Sequence, residues 1–282
     1  MPTTATPLPP GLEELGRRPP LRRYLADIWA RREFAFVVAE GQLRAQNQNT
    51  LLGNLWHLLN PLLLAAVYYF IFGVVLGGNN REDNYPAFLI IGLFVFHFTQ
   101  KLTLAGTGSI VGNQSLIRNI RFPRALLPIA LVSQETVGQL FTIGSMFALA
   151  WLTGERPRVT WLLIIPLLVL QIVMNFGLAL VTARMTFHFR DVEKLLPYLM
   201  RIWFYCSGVF FGADLVFDRA GETAGRIFEL NPAYPFIHLA RLAVMDGTTD
   251  GRFWLIAGAW SIVALIGGVA YFRRSEHEYG LA

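Results

Sequence analysis

Lys101, Glu135 and Arg201 are charged residues set inside otherwise apolar stretches of the chain. An ionisable group in that setting must pair with another, face water or relay protons. Opposite charge lets Glu135 pair with Lys101 or with Arg201 and hold helices together; a proton relay through Glu135 is the alternative chemistry. The other reactive side chains form no catalytic constellation. His57, His97, His188, His238 and His277 lie far apart and lack metal-ligand spacing, so no metal site is expected. Cys206 is the single cysteine, which excludes an intramolecular disulfide and a cysteine-cluster zinc or iron–sulfur site. A phosphate-cradling loop needs G-x-x-x-x-G-K-[ST], yet neither Lys101 nor Lys194 follows a glycine or precedes Ser or Thr. H-E-x-x-H and G-x-S-x-G are also missing. The chain is therefore not expected to be an enzyme, and no catalytic residue or cofactor of its own is assigned.

The elements that must position these groups follow from composition. Of 282 residues, 54% are apolar and 15% charged, against roughly 25% charged in a soluble domain. So few charges cannot cover a water-facing surface, which excludes a soluble enzyme and a disordered chain. The 24 Lys+Arg exceed the 19 Asp+Glu, but the basic residues are scattered between apolar runs. A nucleic-acid partner needs a basic face on a folded surface and is not expected. The runs lie near 55–76, 86–104, 126–152, 161–183, 196–217 and 253–272. Each holds about twenty residues or more, enough at ~1.5 Å per residue for a ~30 Å hydrocarbon core. Glu135 costs the third run roughly 2.5–3.5 kcal/mol, which its Leu, Ile, Val and Phe neighbours offset at about 0.3–0.6 each. The expected fold class is an all-α polytopic membrane protein with six transmembrane helices.

Loop charge orients the spans. Arg17, Arg18, Arg22, Arg23, Arg31, Arg32 and Arg44 precede the first run; Arg118, Arg121 and Arg124 follow the second; Arg184, Arg190 and Lys194 follow the fourth; Arg273 and Arg274 follow the last. The opposite loops hold Arg81, then Arg156 and Arg158. The positive-inside rule places both termini in the cytoplasm, with the protein multi-pass in the cytoplasmic (inner) membrane. Residues 1–20 read as a disordered proline-rich lead-in. From Leu21 to about Leu43, Leu21, Tyr24, Leu25 and Ile28 recur at helical spacing with Trp29 beside them and arginines largely on other faces. That predicts a basic amphipathic helix on the cytoplasmic membrane surface. Segment 227–245 tempts a seventh span, but Asn231, Pro232, Pro235, His238 and Arg241 favour short re-entrant helices, a lid before the last span. Two G-x-x-x-G patterns, Gly208 to Gly212 and Gly73 to Gly77, predict close helix contact.

Between the second and third runs, residues 114–124 place Leu116, Ile117 and Ile120 on one side of a short helix with arginines beside them, and Pro123 fixes the return to the membrane. One reading is a loop made basic for topology. The other is a rigid docking knob whose apolar face another protein must cover. Leu116-Ile117-Arg118 through Phe122-Pro123-Arg124 resembles the coupling-helix region of the membrane subunits of ABC-2-type polysaccharide exporters, which export O-antigen, teichoic acid, capsule and galactan chains. The resemblance covers most of the sequence. It runs through Gly53-Asn54-Leu55-Trp56 and Leu59-Asn60-Pro61, Tyr85-Pro86-Ala87-Phe88, Phe189-Arg190-Asp191-Val192, Ile202-Trp203-Phe204-Tyr205, and Asn231-Pro232 with His238-Leu239-Ala240-Arg241. Gly208 departs from it, standing where relatives often carry proline.

The resemblance implies a homodimer driven by two copies of a separate ABC ATPase subunit, which binds ATP and Mg, with a lipid-diphosphate-linked polysaccharide as substrate. Docking would then fall to Gln114, Leu116, Ile117, Arg118, Ile120, Arg121, Phe122 and Arg124. A glycan conduit needs many weak contacts, C–H faces on aromatic rings and hydroxyls on polar atoms. Tyr68, Tyr69, Phe94, Phe98, Trp203 and Tyr205 are the candidates. Arg44, Arg118 and Arg201 are candidates for the lipid diphosphate, whose oxygens suit a guanidinium fork, although anionic membrane lipid competes for such arginines. The domains are then a cytoplasmic interface region, 21–48, the ABC-2-type transmembrane domain, 49–274, and a cytoplasmic tail, 275–282. Two other classes stay open: a proton- or ion-coupled carrier, and a membrane-embedded glycan-modifying enzyme, for which no convincing dyad is found.

Overall fold

Asn84 opens a long helix and ties it to another. Its side-chain oxygen accepts from Ala87 N at 3.3 Å, and Pro86 occupies a first-turn position where its missing N–H costs nothing. The same amide donates to Thr153 O (3.0 Å) and Glu155 Oε1 (2.8 Å), just past the end of a second long helix. The computed structural model describes residues 20–47, 55–75, 84–120, 122–276 and 279. Among these every regular element is helical: α1 (Leu21–Ala30), α2 (Arg32–Asn47), α3 (Trp56–Tyr68, continuing as wider π turns over Tyr69–Val75), α4 (Tyr85–Val111), α5 (Gln114–Asn119), α6 (Leu126–Leu152), α7 (Ile164–His188, entered through a 3-10 turn at Val159–Leu163), α8 (Asp191–Tyr205), α9 (Ala213–Glu229), α10 (Tyr234–Arg241, running into a π turn at Leu242–Asp246) and α11 (Gly251–Arg273). The proline-rich lead-in before residue 20, Gly53, Asn54, Gly77, Arg81, Arg121 and most of the tail lie outside the described residues, as do the side chains of Arg44 and Tyr68.

Four helical stretches are long and apolar enough to cross a bilayer: Tyr85–Val111, Leu126–Leu152, Val159–His188 and Gly251–Arg273. At about 1.5 Å per residue they extend ~35–45 Å. A shorter apolar stretch, Leu62–Ile71, lies in α3. Helix α4 is the centre. Leu89, Ile91, Leu93, Phe94, Phe96 and Leu102 are buried around its whole circumference, because α6, α7 and α10 surround it. Small residues let its neighbours close in. A Cβ on Gly106 would lie 2.8 Å from Ala179 Cα, and one on Gly268 would lie 2.9 Å from Gly177 Cα, so α4–α7 and α7–α11 meet at backbone distance. Helix α2 packs Ala35 and Ala39 against Leu126 and Ala130 at the start of α6, leaving Phe36 and Val37 on its exposed side; Trp29 of α1 is exposed too.

The expected fifth span, 196–217, is not one helix. Helix α8 stops at Tyr205, about 22 Å from its start, and Gly208 takes φ +84°, a left-handed conformation that ends helices. Gly208 and Gly212 therefore form no helix-contact motif; the small-residue contacts lie at Gly106 and at Gly177 with Gly268. Segment 227–245 is divided as well: α9 ends at Glu229, a turn follows, and α10 lies buried against α4 and α11.

Candidate functional site

Polar side chains gather at the two ends of α4 and at one level between them. At the N-terminal end of α4, the break after α8 is held by side chains that reach its backbone oxygens. Arg241, 5% exposed on α10, donates from Nη1 to Gly208 O (2.8 Å), from Nη2 to Val209 O (2.7 Å) and from Nε to Phe88 O (3.1 Å). Its guanidinium lies 3.3 Å from the Phe88 ring centroid, a cation–π contact. Gly92 makes room for it, since a Cβ there would meet Nη2 at 2.5 Å. Asn231 donates to Cys206 O (2.8 Å) and accepts from Trp203 Nε1 (2.8 Å) and Ala233 N (3.1 Å). The π turn after α10 is closed in the same way: Trp161 Nε1, Thr160 Oγ1 and Arg158 Nη1 donate to Val244 O, Ala243 O and Met245 O. A bent backbone away from water needs such donors. From the sequence, Asn231 and Arg241 served as arguments against a span and as part of the resemblance, not as backbone donors; the usable signal was that a buried arginine must fill its donor fork.

Between the ends, Lys101 Nζ on α4 lies 2.6 Å from Glu135 Oε2 on α6, with Glu135 buried. Arg201 is exposed on α8 and belongs to no such pair with Glu135. Gln171 on α7 donates to Val95 O (2.7 Å) and Thr99 Oγ1 (3.0 Å). The amides of Gln134 and Asn175 are buried nearby in sequence on α6 and α7 without a hydrogen-bond partner among the described residues.

The aromatic candidates separate. Phe94 and Phe98, 1% and 2% exposed, are core residues of this chain. Trp203 is half-buried, with its N–H taken by Asn231 and its ring edge-on to Phe96 at 5.6 Å. Tyr205, 44% exposed, stacks on Phe210 at 5.5 Å, and Tyr69 is exposed on the π turns after α3.

At the other end of α4 lies α5. Its apolar side is covered by this chain: Ile117 is buried in a cluster with Tyr24, Ile110, Ala125, Leu127, Leu180, Ala183, Phe272 and Tyr279, and Leu116 packs beside it. Ile120, expected on the same side, is exposed, so this chain covers Ile117 and part of Leu116 but not the whole of that face. Phe122 turns inward too, its ring 4.8 Å from Phe34 on α2. Arg124 Nη1 donates to Glu276 O at 3.0 Å. The outward side of the segment carries Ser115, Arg118, Asn119 and Ile120, with Gln114 half-buried. Tyr24 donates to Glu276 Oε1 at 2.7 Å. Burial, then the neighbouring Glu276, pushes the Tyr24 phenol above its ordinary range. Burial also raises the Glu276 carboxyl, against the opposing hydrogen bonds from Tyr24 and Arg124 N. Helices α1 and α5 and the end of α11 thus share one end of the molecule, together with Arg22, Arg23, Arg118, Arg273 and Arg274.

The chain belongs to the ABC-2 type transporter family, whose model matches residues 34–245; permeases of this family are transport subunits rather than enzymes. It is 28% identical over 244 residues to the O-antigen export system permease protein RfbA of Klebsiella pneumoniae, covering 86% of this chain and 92% of that one. The RfbA protein of Myxococcus xanthus is 26% identical over 260 residues, covering 91% and 98%. The polysialic acid transport protein KpsM of Escherichia coli is 24% identical over 229 residues, covering 80% and 86%.

Proposed function

We propose that this chain is the membrane subunit of an ATP-driven exporter that moves a lipid-diphosphate-linked polysaccharide, O-antigen or cell-wall galactan, out across the cytoplasmic membrane. It works as a homodimer with two copies of a separate ATPase subunit that binds ATP and Mg. The observation that carries this reading is α5: its inner side is anchored in the chain's own core, so force applied to exposed Arg118 and Ile120 reaches α4 and α6 directly. In this scheme α3, and α8 continued by the 206–212 link, join the four long helices to give six crossings, both termini are cytoplasmic, and α9 and α10 form a re-entrant lid. Tyr69, Tyr205 and the exposed part of Trp203 meet sugar, while Arg44, Arg118 and Arg201 meet the diphosphate or anionic membrane lipid.

The test is co-purification of the ATPase with Arg118→Glu/Ile120→Asp in detergent. Ile117 and Phe122 are poor choices, being buried within the chain. Loss of the ATPase with an unchanged elution profile for the permease is the expected result; unchanged co-purification removes the docking assignment. The buried Glu135 favours the competing reading, a proton- or ion-coupled carrier. Glu135→Gln separates the two: transport that needs no ATPase and disappears in this variant establishes the carrier.

A further inference from the structure

Glu276 lies just beyond α11, yet segments distant in sequence converge on it. Tyr24 of α1 donates to its Oε1 at 2.7 Å, and Arg124 N donates to the same oxygen at 3.2 Å. Arg124 Nη1 reaches the Glu276 carbonyl at 3.0 Å. Arg273 lies over the Tyr24 ring at 5.1 Å, and Ser275 Oγ is 3.4 Å from His188 Nε2 on α7. Tyr279 then folds back, packing on Phe187 at 4.7 Å and Phe272 at 5.1 Å while its hydroxyl donates to Phe272 O. Tyr24, Ser275 and Tyr279 are buried. A tail that merely trailed from the last helix would not lose its solvent in this way.

The chemistry explains why a carboxylate stands there. Helix α6 begins with no side-chain cap and no acid in its first turn. The first N–H groups of a helix lack intrahelical partners, and its N-terminus attracts negative charge. Glu276 reaches in from 152 residues away, and its Oε1 accepts from Arg124 N, two residues before the helix starts.

We infer that Glu276 is the positioning residue that seats the α5–α6 corner, latching α1 and the end of α11 to segment 114–124 so that the three move as one body. This deepens the docking proposal, because a docking segment fixed to the first and last helices passes its displacement to both. The latch itself is a property of the chain alone.

Hydrogen–deuterium exchange on the full chain in nanodiscs, without any ATPase, tests it. Glu276→Ala is expected to speed exchange across 114–124 about tenfold, the effect of losing the hydrogen bonds its carboxyl oxygen accepts. Glu276→Gln keeps an acceptor oxygen and should stay within about threefold of the parent, as a rescue by the conservative change. Segment 206–212, at the opposite end, is the fold reference and should not change. Exchange in 114–124 that is unaltered by Glu276→Ala, that rises equally in Glu276→Gln, or that rises together with 206–212 overturns the latch. Since the readout uses no partner, its failure is separate from failure of the docking test.

Discussion

The two ends of α4 solve opposite problems. At its N-terminal end a non-helical link, 206–212, lies against apolar helices, and neutral backbone oxygens must be satisfied there. The donors are long side chains from α10 and its flanks, above all Arg241 and Asn231. At its C-terminal end the backbone is mostly helical, and the polar centre is one half-buried carboxyl group, Glu276, serving Tyr24 and Arg124. The first end is closed on itself. The second buries its apolar side but leaves Arg118 and Ile120 outward. An end that holds a bend needs many donors; the other end has a packed back and an exposed front.

That contrast is broken most severely at Arg241. Arg241→Ala leaves Gly208 O, Val209 O and Phe88 O without their donor, so a loss of about 3–5 kcal/mol is expected, the scale of breaking a buried charged network. Fluorescence-detected size exclusion after heating should show it as a collapse in folded protein. Next is Gly208→Ala. Its left-handed φ and the Tyr234 ring carbon at 2.7 Å from the new Cβ together predict about 2–4 kcal/mol, read in the same assay. At the middle level, Lys101→Met strands Glu135, but Lys101 is 35% exposed. Partial solvation limits the loss to about 1–2 kcal/mol, and adding Glu135→Gln should recover part of it.

The smallest effect sharpens the comparison through pH. Burial raises the Glu276 carboxyl within reach of Tyr24, Arg124 and Arg273. The folded chain therefore holds this proton more tightly than the unfolded chain, and the contribution is full below the ordinary glutamate range. It is lost as pH climbs through the raised folded value. Exchange protection of 273–276, corrected for intrinsic rate, should fall over that window, while 206–212 stays level.

Much of the helical frame was legible. The run 126–152 is α6 itself, and 86–104, 161–183 and 253–272 lie within helical stretches that extend a few residues further. These runs were readable because a span advertises itself by length and continuous apolarity. The break in 196–217 was not, since Cys206-Ser207-Gly208-Val209-Phe210-Phe211-Gly212 is as apolar as a helix would be. Hydropathy reports where a segment lies, and says nothing of which distant donor meets its carbonyls. Within segment 114–124 the structure turns Ile117 and Phe122 inward, where an outward face was expected, because a three-to-four spacing marks a face without naming what covers it.

By itself the sequence determined that this chain is helical and membrane-borne, and it marked the residues that cannot rest in lipid unaided. Only the tertiary structure decided their partners: Lys101 rather than Arg201 beside Glu135, Arg241 on the 206–212 link, and Glu276 on Tyr24 and Arg124. The reason is physical. Transfer of apolar surface out of water is additive along the chain and can be read locally. A buried polar group is satisfied by a donor or acceptor at about 3 Å in a fixed direction, and that depends on how distant segments are brought together.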